Sequence, residues 1–393
     1  MAQTPVSHEG KLDRMKSAPK LLLLGSQMET GGAQRVLLNQ AAWFAAQGWQ
    51  VTVAFLYDKE GLHERWQQQA TFPILNLKAK RPGAGKIAGL LGLLGGSSRL
   101  LQLMLNEKFV AVETFSHHCN LIGLPLAWLA GVPARVGSHH GRILSFSRRM
   151  ERIHAWVVNR FATRLVAVSR RVQKEAVQAG IRKDKIVVIP NGVQLPPIDP
   201  QATAQIRTEV GAQNSALVLA AGRMTYQKAH TFLLKAAALV LEKHPDTVFA
   251  LAGDGPLRTE LEVEAQQLGI AGQVIFLGIR SDLAQCMAAA DIFALPSRWE
   301  GLPLVLLEAM GMGTAVVATL VEGVDEVIQD QENGLLVAPE DAEGLASALN
   351  RLLNDKAFCC QIGAAAQTTV NSTYTIDRMC RQYIPLLNLE SST

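Results

Sequence analysis

Two series of short apolar strands, each alternating with segments of helical periodicity, constrain this chain more than any other feature. Strand and helix in strict alternation is what a parallel sheet requires, because every parallel crossover uses a helix. The first series predicts strands at 21–25, 51–57, 72–77, 109–114, 134–138, 165–169 and 186–189. The second predicts them at 216–222, 248–253, 274–278, 292–296, 315–318 and 334–337. Between the series stand Pro190-Asn191-Gly192-Val193 and Pro196-Pro197-Ile198-Asp199-Pro200, a turn-rich hinge. At 393 residues the chain exceeds what one core can bury. The expectation is an α/β protein of two doubly wound, Rossmann-like domains facing each other across a cleft, with ligands beyond the carboxyl ends of the strands. Residues 1–19, polar and mixed, are expected to be disordered. Residues 20–192 form the first domain and 193–370 the second, and the apolar helix within 371–393 folds back onto the first.

A net charge of +4 is too small at this length to indicate a nucleic-acid partner. Its distribution says more. From Arg135 to Lys185 thirteen Lys or Arg face only Glu151, Glu175 and Asp184, and Lys78 to Arg99 adds five basic residues and no acid within a Leu- and Gly-rich stretch. A basic, apolar surface of this kind either docks on an anionic membrane or only aids solubility. No secretory signal or spanning helix is expected. Residues 87–105 have the length, but Gly95-Gly96-Ser97-Ser98-Arg99 is expected to interrupt them. Five cysteines without a Cys-x-x-Cys spacing fit a reducing cytoplasm.

Candidate chemistry gathers in a few loops. Trp299-Glu300-Gly301-Leu302-Pro303 leads into the apolar run Leu304 to Gly311, broken only by Glu308. A helix starting near Pro303 would place both carboxylates in one crevice with free N–H groups at its positive end. Such a crevice suits a polyol joined to an anion, as in a nucleotide sugar. The alternative is structural: Glu300 caps the helix and Glu308 meets an internal cation. Glu29-Thr30-Gly31-Gly32-Ala33-Gln34-Arg35 opens the first helix with two glycines that let an anion approach the backbone. In Gly222-Arg223-Met224-Thr225-Tyr226-Gln227-Lys228, a lysine stands against the macrodipole at the head of a helix, a position that a bound anion would make favourable. Arg223 can reach the same diphosphate. Ile279 ends a strand at the same sheet edge, where backbone groups can hold a flat base. Of the pairs His117-His118 and His139-His140, His140 is the one expected to point into the cleft; no metal set is expected, since no Cys, Asp or Glu cluster accompanies them.

Together Gly31-Gly32, Arg223, Lys228, Glu300 and Glu308 resemble the retaining glycosyltransferases of family 4, with the GT-B fold. The Glu-x₇-Glu element from Glu300 to Glu308 and the Gly-Arg-x₄-Lys element from Gly222 to Lys228 carry the resemblance most specifically, and Asn191-Gly192-Val193 looks like the family's interdomain linker. It implies a hexosyl- or N-acetylhexosaminyl-transferase in which Arg223 and Lys228 hold the donor diphosphate and Gly32 offers its N–H to a phosphate. Glu308 would bind the ribose and Glu300 the donor sugar, with the backbone from Gly301 through Leu302 and Pro303 to Leu304 forming the same cradle through the N–H groups of Gly301, Leu302 and Leu304, and His140 near the reacting sugar. The likeness further implies no cofactor and no metal, a nucleotide diphosphate sugar as donor, and a lipid-linked or polysaccharide acceptor. It places the enzyme in the cytoplasm, at the inner membrane face, in polysaccharide or lipopolysaccharide assembly. Leu302-Pro303 departs from the family's aromatic residue and glycine, so the likeness does not specify the donor sugar. Lys228-Ala229 stands where Lys-Gly is usual, a change expected to be harmless. A GT-B-type epimerase and a non-catalytic scaffold are the alternatives. A dinucleotide-dependent oxidoreductase is disfavoured because neither series opens with Gly-x-Gly-x-x-Gly.

Overall fold

A computed structural model describes residues 18–80, 85–140 and 147–387. The disorder expected for residues 1–19 falls almost wholly outside these residues. The strands are β1 (Lys20–Met28), β2 (Gln50–Asp58), β3 (Ile74–Asn76), β4 (Ala111–Phe115), β5 (Ala134–His139), β6 (Arg164–Ala167) and β7 (Ile186–Val188), then β8 (Leu217–Ala221), β9 (Val248–Ala252), β10 (Val274–Gly278), β11 (Ile292–Leu295), β12 (Ala315–Thr319) and β13 (Leu335–Val337). Every paired strand runs parallel, in the orders β3-β2-β1-β4-β5-β6-β7 and β10-β9-β8-β11-β12-β13. This is the doubly wound architecture predicted from the strand series. The direction of winding reverses between β1 and β4 in one sheet and between β8 and β11 in the other.

The helices are α1 (Gly32–Ala46), α2 (His63–Gln69), α3 (Lys86–Glu107), α4 (His117–Leu129), α5 (Arg148–Phe161), α6 (Arg170–Gln178) and α7 (Pro200–Glu209), followed by α8 (His230–Leu241), α9 (Arg258–Gln267), α10 (Leu283–Ala289), α11 (Leu304–Gly311), α12 (Ala342–Asn354), α13 (Lys356–Thr373) and α14 (Ile376–Leu387). Alternation along β1 feeds two apolar layers: Leu21 and Leu23 pack with α1, and Leu22 and Leu24 pack with Leu100 and Met104 of α3. The first layer continues through Ile189 and Val193 into the second lobe, where it meets Phe293 of β11 and Leu306 of α11.

One expectation fails. The glycine-serine stretch does not interrupt residues 87–105, because α3 runs through it unbroken. Its glycines are contact positions instead. A Cβ on Gly92 would stand 2.9 Å from the carbonyl oxygen of Ala79, and one on Gly96 would stand 2.8 Å from the Ala79 Cα, so the helix lies directly on the chain that follows β3. Arg99 fixes the contact by donating from Nε to the Leu77 carbonyl at 2.9 Å. The helix is long and apolar enough to cross a membrane by length and composition.

α14 crosses back to the first sheet. Val193 N donates to the Tyr374 carbonyl at 2.8 Å and Ile376 N to that of Val193 at 3.0 Å, so the chain's two crossings between lobes are bonded side by side. Trp43 Nε1 of α1 then donates to Asp377 at 3.2 Å.

Candidate active site at the interdomain cleft

The reversal points explain why residues far apart in sequence meet. β8 and β11 are neighbours, so the loop leaving β8 (Gly222 to Ala229) lies beside the loop leaving β11 (Pro296 to Pro303). Gln227 Nε2 donates to the Trp299 carbonyl at 2.9 Å, Arg298 N donates to that of Gln227 at 2.8 Å, and the Arg298 guanidinium covers the Tyr226 ring at 3.8 Å. Joined this way, the loops seat Lys228 Nζ 2.6 Å from Glu300 Oε1, with both side chains largely buried. Glu300 therefore does not cap α11; its partner is the lysine just ahead of α8, the helix that follows the neighbouring strand β8.

Glu308 also has a cation, but it comes from the opposite lobe. Arg35 of α1 grips it with both terminal nitrogens, at 2.5 and 3.1 Å. Desolvation pushes the Glu308 carboxyl above its usual range, and Arg35 opposes that shift. The helix starts one residue later than expected, at Leu304, with Pro303 in extended backbone as the N-cap, so Glu308 sits little more than one turn inside. Gly32 completes the contact between lobes, since a Cβ there would touch the Leu304 side chain at 3.7 Å.

Arg223 is half exposed and lies 3.5 Å from Glu29, which also pairs with Lys59 at 2.6 Å. Burial raises the Glu29 pKa, but hydrogen bonds from Lys59 and Gln27 and the nearby cations outweigh it and hold the carboxylate below its ordinary value. Three helices, α1, α8 and α11, start in these loops with no capping side chain and no acid in the first turn. Their first N–H groups are free for an anion. Gly31 is the N-cap of α1; Gly301 and the buried Leu302 precede α11; Ile279 follows β10 with its side chain exposed.

His140 is held from both sides. Its ring stacks on Phe115 at 5.1 Å, Nδ1 meets Asn191 Oδ1 at 3.0 Å, and Nε2 meets Ser138 Oγ at 3.2 Å. Asn191 donates its Nδ2 to the Leu302 carbonyl at 3.2 Å, so its Oδ1 faces the ring as an acceptor. The neutral ring then carries its proton on Nδ1. Burial drives the His140 pKa down to about 4, partly opposed by the Asn191 hydrogen bond, and keeps the ring neutral. One hinge residue thus bridges the first lobe's histidine and the second lobe's Glu300 loop.

Sequence reasoning gave Arg35, Glu29 and Ser138 no role and read Asn191 only as linker. The signal for Arg35 was its place in the first turn of the helix that Gly31-Gly32 opens. Its partner is 273 positions away, which no local pattern reveals. A hollow of about 850 Å³ beside Trp49, Phe72 and Leu103 lies at the amino-terminal edge of the first sheet, the wrong edge for a ligand of this architecture.

Two parallel-sheet lobes with cations, carboxylates and free helix starts converging between them define a nucleotide-sugar-transferase type of cleft. Residues 30–195 match the model of Glycosyltransferase Family 4, and residues 203–369 match that of glycosyl transferases group 1. The chain is 29% identical, over 65% of its length and 70% of the relative's, to an Escherichia coli UDP-Gal:alpha-D-GlcNAc-diphosphoundecaprenol alpha-1,3-galactosyltransferase. It is 30% identical, over 71% and 75%, to an uncharacterized glycosyltransferase of Methanocaldococcus jannaschii. The crystal structure of Anabaena HepE in complex with UDP and glucose superposes with a TM-score of 0.84 at 25% identity, covering 94% of this chain and 99% of that one. The chain belongs to glycosyltransferase family 4 and is a glycosyltransferase of the GT-B fold.

Proposed function

We propose that this enzyme transfers a hexose-type sugar, with retention of anomeric configuration, from a nucleotide diphosphate to a lipid-linked or polysaccharide acceptor. The observations that support the reading are three ion pairs on the loops that face between the lobes: Lys228 with Glu300 within the second lobe, and Arg35 with Glu308 and Glu29 with Arg223 across the lobes. Arg223 and Lys228 take the diphosphate and stabilise the charge that grows on the leaving group. Glu308 takes the ribose hydroxyls, which share or replace the grip of Arg35, and Glu300 takes hydroxyls of the sugar. The acceptor hydroxyl attacks from the face that the diphosphate occupies, and a phosphate oxygen receives its proton. His140, neutral and fixed by Asn191, positions the sugar without acting as a base. Protein cations stand in for a divalent ion, so Mg²⁺ or Mn²⁺ leaves the turnover rate unchanged.

The UDP named for the E. coli relative and for HepE supports a UDP-sugar donor. For the acceptor side, α5 exposes Met150, Ile153 and Trp156 among Arg148, Arg149, Arg152 and Arg160, and α3 exposes Ile87, Leu90, Leu91 and Leu94. Such faces support peripheral attachment to the anionic cytoplasmic membrane. Sedimentation with anionic but not neutral vesicles tests that location.

The decisive experiment is a screen of UDP-, GDP- and ADP-sugars for thermal stabilisation and transfer. The true donor at about 100 times its Kd stabilises by roughly 2.7 kcal/mol. Lys228→Gln and Glu308→Gln, which keep hydrogen-bonding capacity for the partners left behind, should fold and lose about 10²–10³-fold in kcat/KM. Unchanged transfer would remove the site assignment. Conversion of the donor without any acceptor would point to an epimerase instead.

A further inference from the structure

Three histidines that the cleft chemistry does not use meet beside it. β4 and β5 are paired with Phe115 opposite Ser138, so His117 at the head of α4 and His139 at the end of β5 become neighbours, and α5 lays His154 against both. One ring nitrogen from each of the three lies within 4.8 Å of the others, and all three residues are buried. The rings of His117 and His154 are 4.2 Å apart at their centres, and those of His139 and His154 are 5.0 Å apart. Among the described residues, His139 Nε2 and His154 Nδ1 are buried without a hydrogen-bond partner. Polar atoms so placed call for an explanation, and an ion supplies one.

The surroundings fit. All three rings are buried, which favours the neutral form that a metal takes. Asn120 supplies the outer partner. Its amide meets His154 Nε2 at 3.1 Å and Thr114 Oγ1 at 2.6 Å. Turned over, the amide keeps both contacts: Oδ1 accepts from His154 Nε2–H, and Nδ2 donates to Thr114 Oγ1, whose own proton has the Val136 carbonyl at 3.4 Å. His154 Nδ1 then presents a lone pair, oriented as ligating histidines usually are.

We propose that His117, His139 and His154 form a transition-metal site of the Zn²⁺ class, which ties α4, β5 and α5 together beside the cleft. Ligand bonds of about 2.0–2.1 Å bring the nitrogens well inside the 4.8 Å that bounds their present separations. An all-imidazole set favours Zn²⁺, Ni²⁺ or Cu²⁺ over Mg²⁺ or Ca²⁺, and water completes the tetrahedron. His140, the next residue, turns to Asn191 instead, so the ion fixes the strand end that carries His140 and takes no part in transfer.

Untagged full-length protein, stripped with chelator and reloaded, should retain one equivalent of zinc per chain through gel filtration. Loaded with Co²⁺, it should show the visible d–d absorption of a tetrahedral ion. Its Tm should rise with Zn²⁺ and stay unchanged with Mg²⁺. His139→Gln or His154→Gln should abolish the bound equivalent. Asn120→Ala, which spares every ligand, should weaken zinc binding by about 10–100-fold. If the histidine variants do not fold, the stoichiometry and Co²⁺ spectrum of the unsubstituted chain decide alone. Zinc far below one equivalent, or zinc retained by a folded His154→Gln variant, would overturn the site and leave a neutral, stacked cluster of core rings.

Discussion

Ala229 shows what a single residue can hide from sequence reading. Replacing the family's glycine after Lys228 was expected to be harmless, yet Ala229 stands at φ 53°, ψ 37°, in the left-handed region, as the N-cap of α8. A residue with a Cβ loses about 1–2 kcal/mol there, less what the stiffer unfolded chain returns. Ala229→Gly should therefore stabilise the protein by roughly 0.5–1 kcal/mol, seen as a higher denaturant midpoint at an unchanged m-value. A lower midpoint would mean that the strain is not real. Glu113 was equally hidden, because it lies within a strand, Ala111–Phe115, whose residues are all buried. It receives a hydrogen bond from Gln40 at 2.7 Å beside Tyr383, and burial pushes its pKa up to about 8. The folded state thus keeps a proton that the unfolded chain, titrating near 4.5, has released. Stability contributed by this group is full below about pH 4.5 and is lost as pH rises towards 8. Glu113→Gln cannot ionise, so its Tm relative to the parent should climb between pH 5 and pH 8.5; parallel Tm curves would refute the shift.

Strands were the most legible elements, because both faces of a parallel sheet are covered and the strands read as unbroken apolar runs. All thirteen expected strands are present, with ends differing by a few residues. α3 was misread for a physical reason: glycine signals a break only where nothing packs on it, and the contact of Gly92 and Gly96 with Ala79 is invisible in one dimension. The loop before α11 holds a similar contact. Gly323 has φ 92°, and a Cβ there would lie 2.0 Å from the Gly301 carbonyl oxygen. Gly323→Ala must force its own turn and the Gly301 backbone apart, which disturbs the loop that seats Glu300 against Lys228. A displacement of about 1 Å at a reacting centre costs on the order of 10²-fold in rate. The variant should therefore lose about that much kcat/KM while still unfolding cooperatively. Activity within twofold of the parent would show that the loop and the Gly323 turn are not mechanically joined.

Across the whole molecule, the site was legible where adjacent strands carry its loops and illegible where the lobes meet. Lys228 and Glu300 follow neighbouring strands of one sheet, so motif reading could associate them. The pairing of Arg35 with Glu308 and of Glu29 with Arg223 depends on how the lobes are set against each other, which no local pattern encodes. The return of α14 helps to set that arrangement. Ile376, Met379, Cys380, Tyr383 and Leu387 are buried, and α14 packs against α1 of the opposite lobe. At about 1.5–3 kcal/mol for each fully buried side chain, the five amount to roughly 7–15 kcal/mol, an upper estimate for an extended unfolded chain. That rivals the entire net stability of an ordinary domain, about 5–15 kcal/mol. Ending the chain at Thr373 should consequently unfold the first lobe instead of merely loosening a hinge. Trp43→Phe, which gives up only the bond to Asp377, should cost about 0.5–1.5 kcal/mol. Calorimetry of the two variants separates the cases: a truncated chain that melts within a few degrees of the parent would show that α14 is an appendage and that the first sheet closes its core without it.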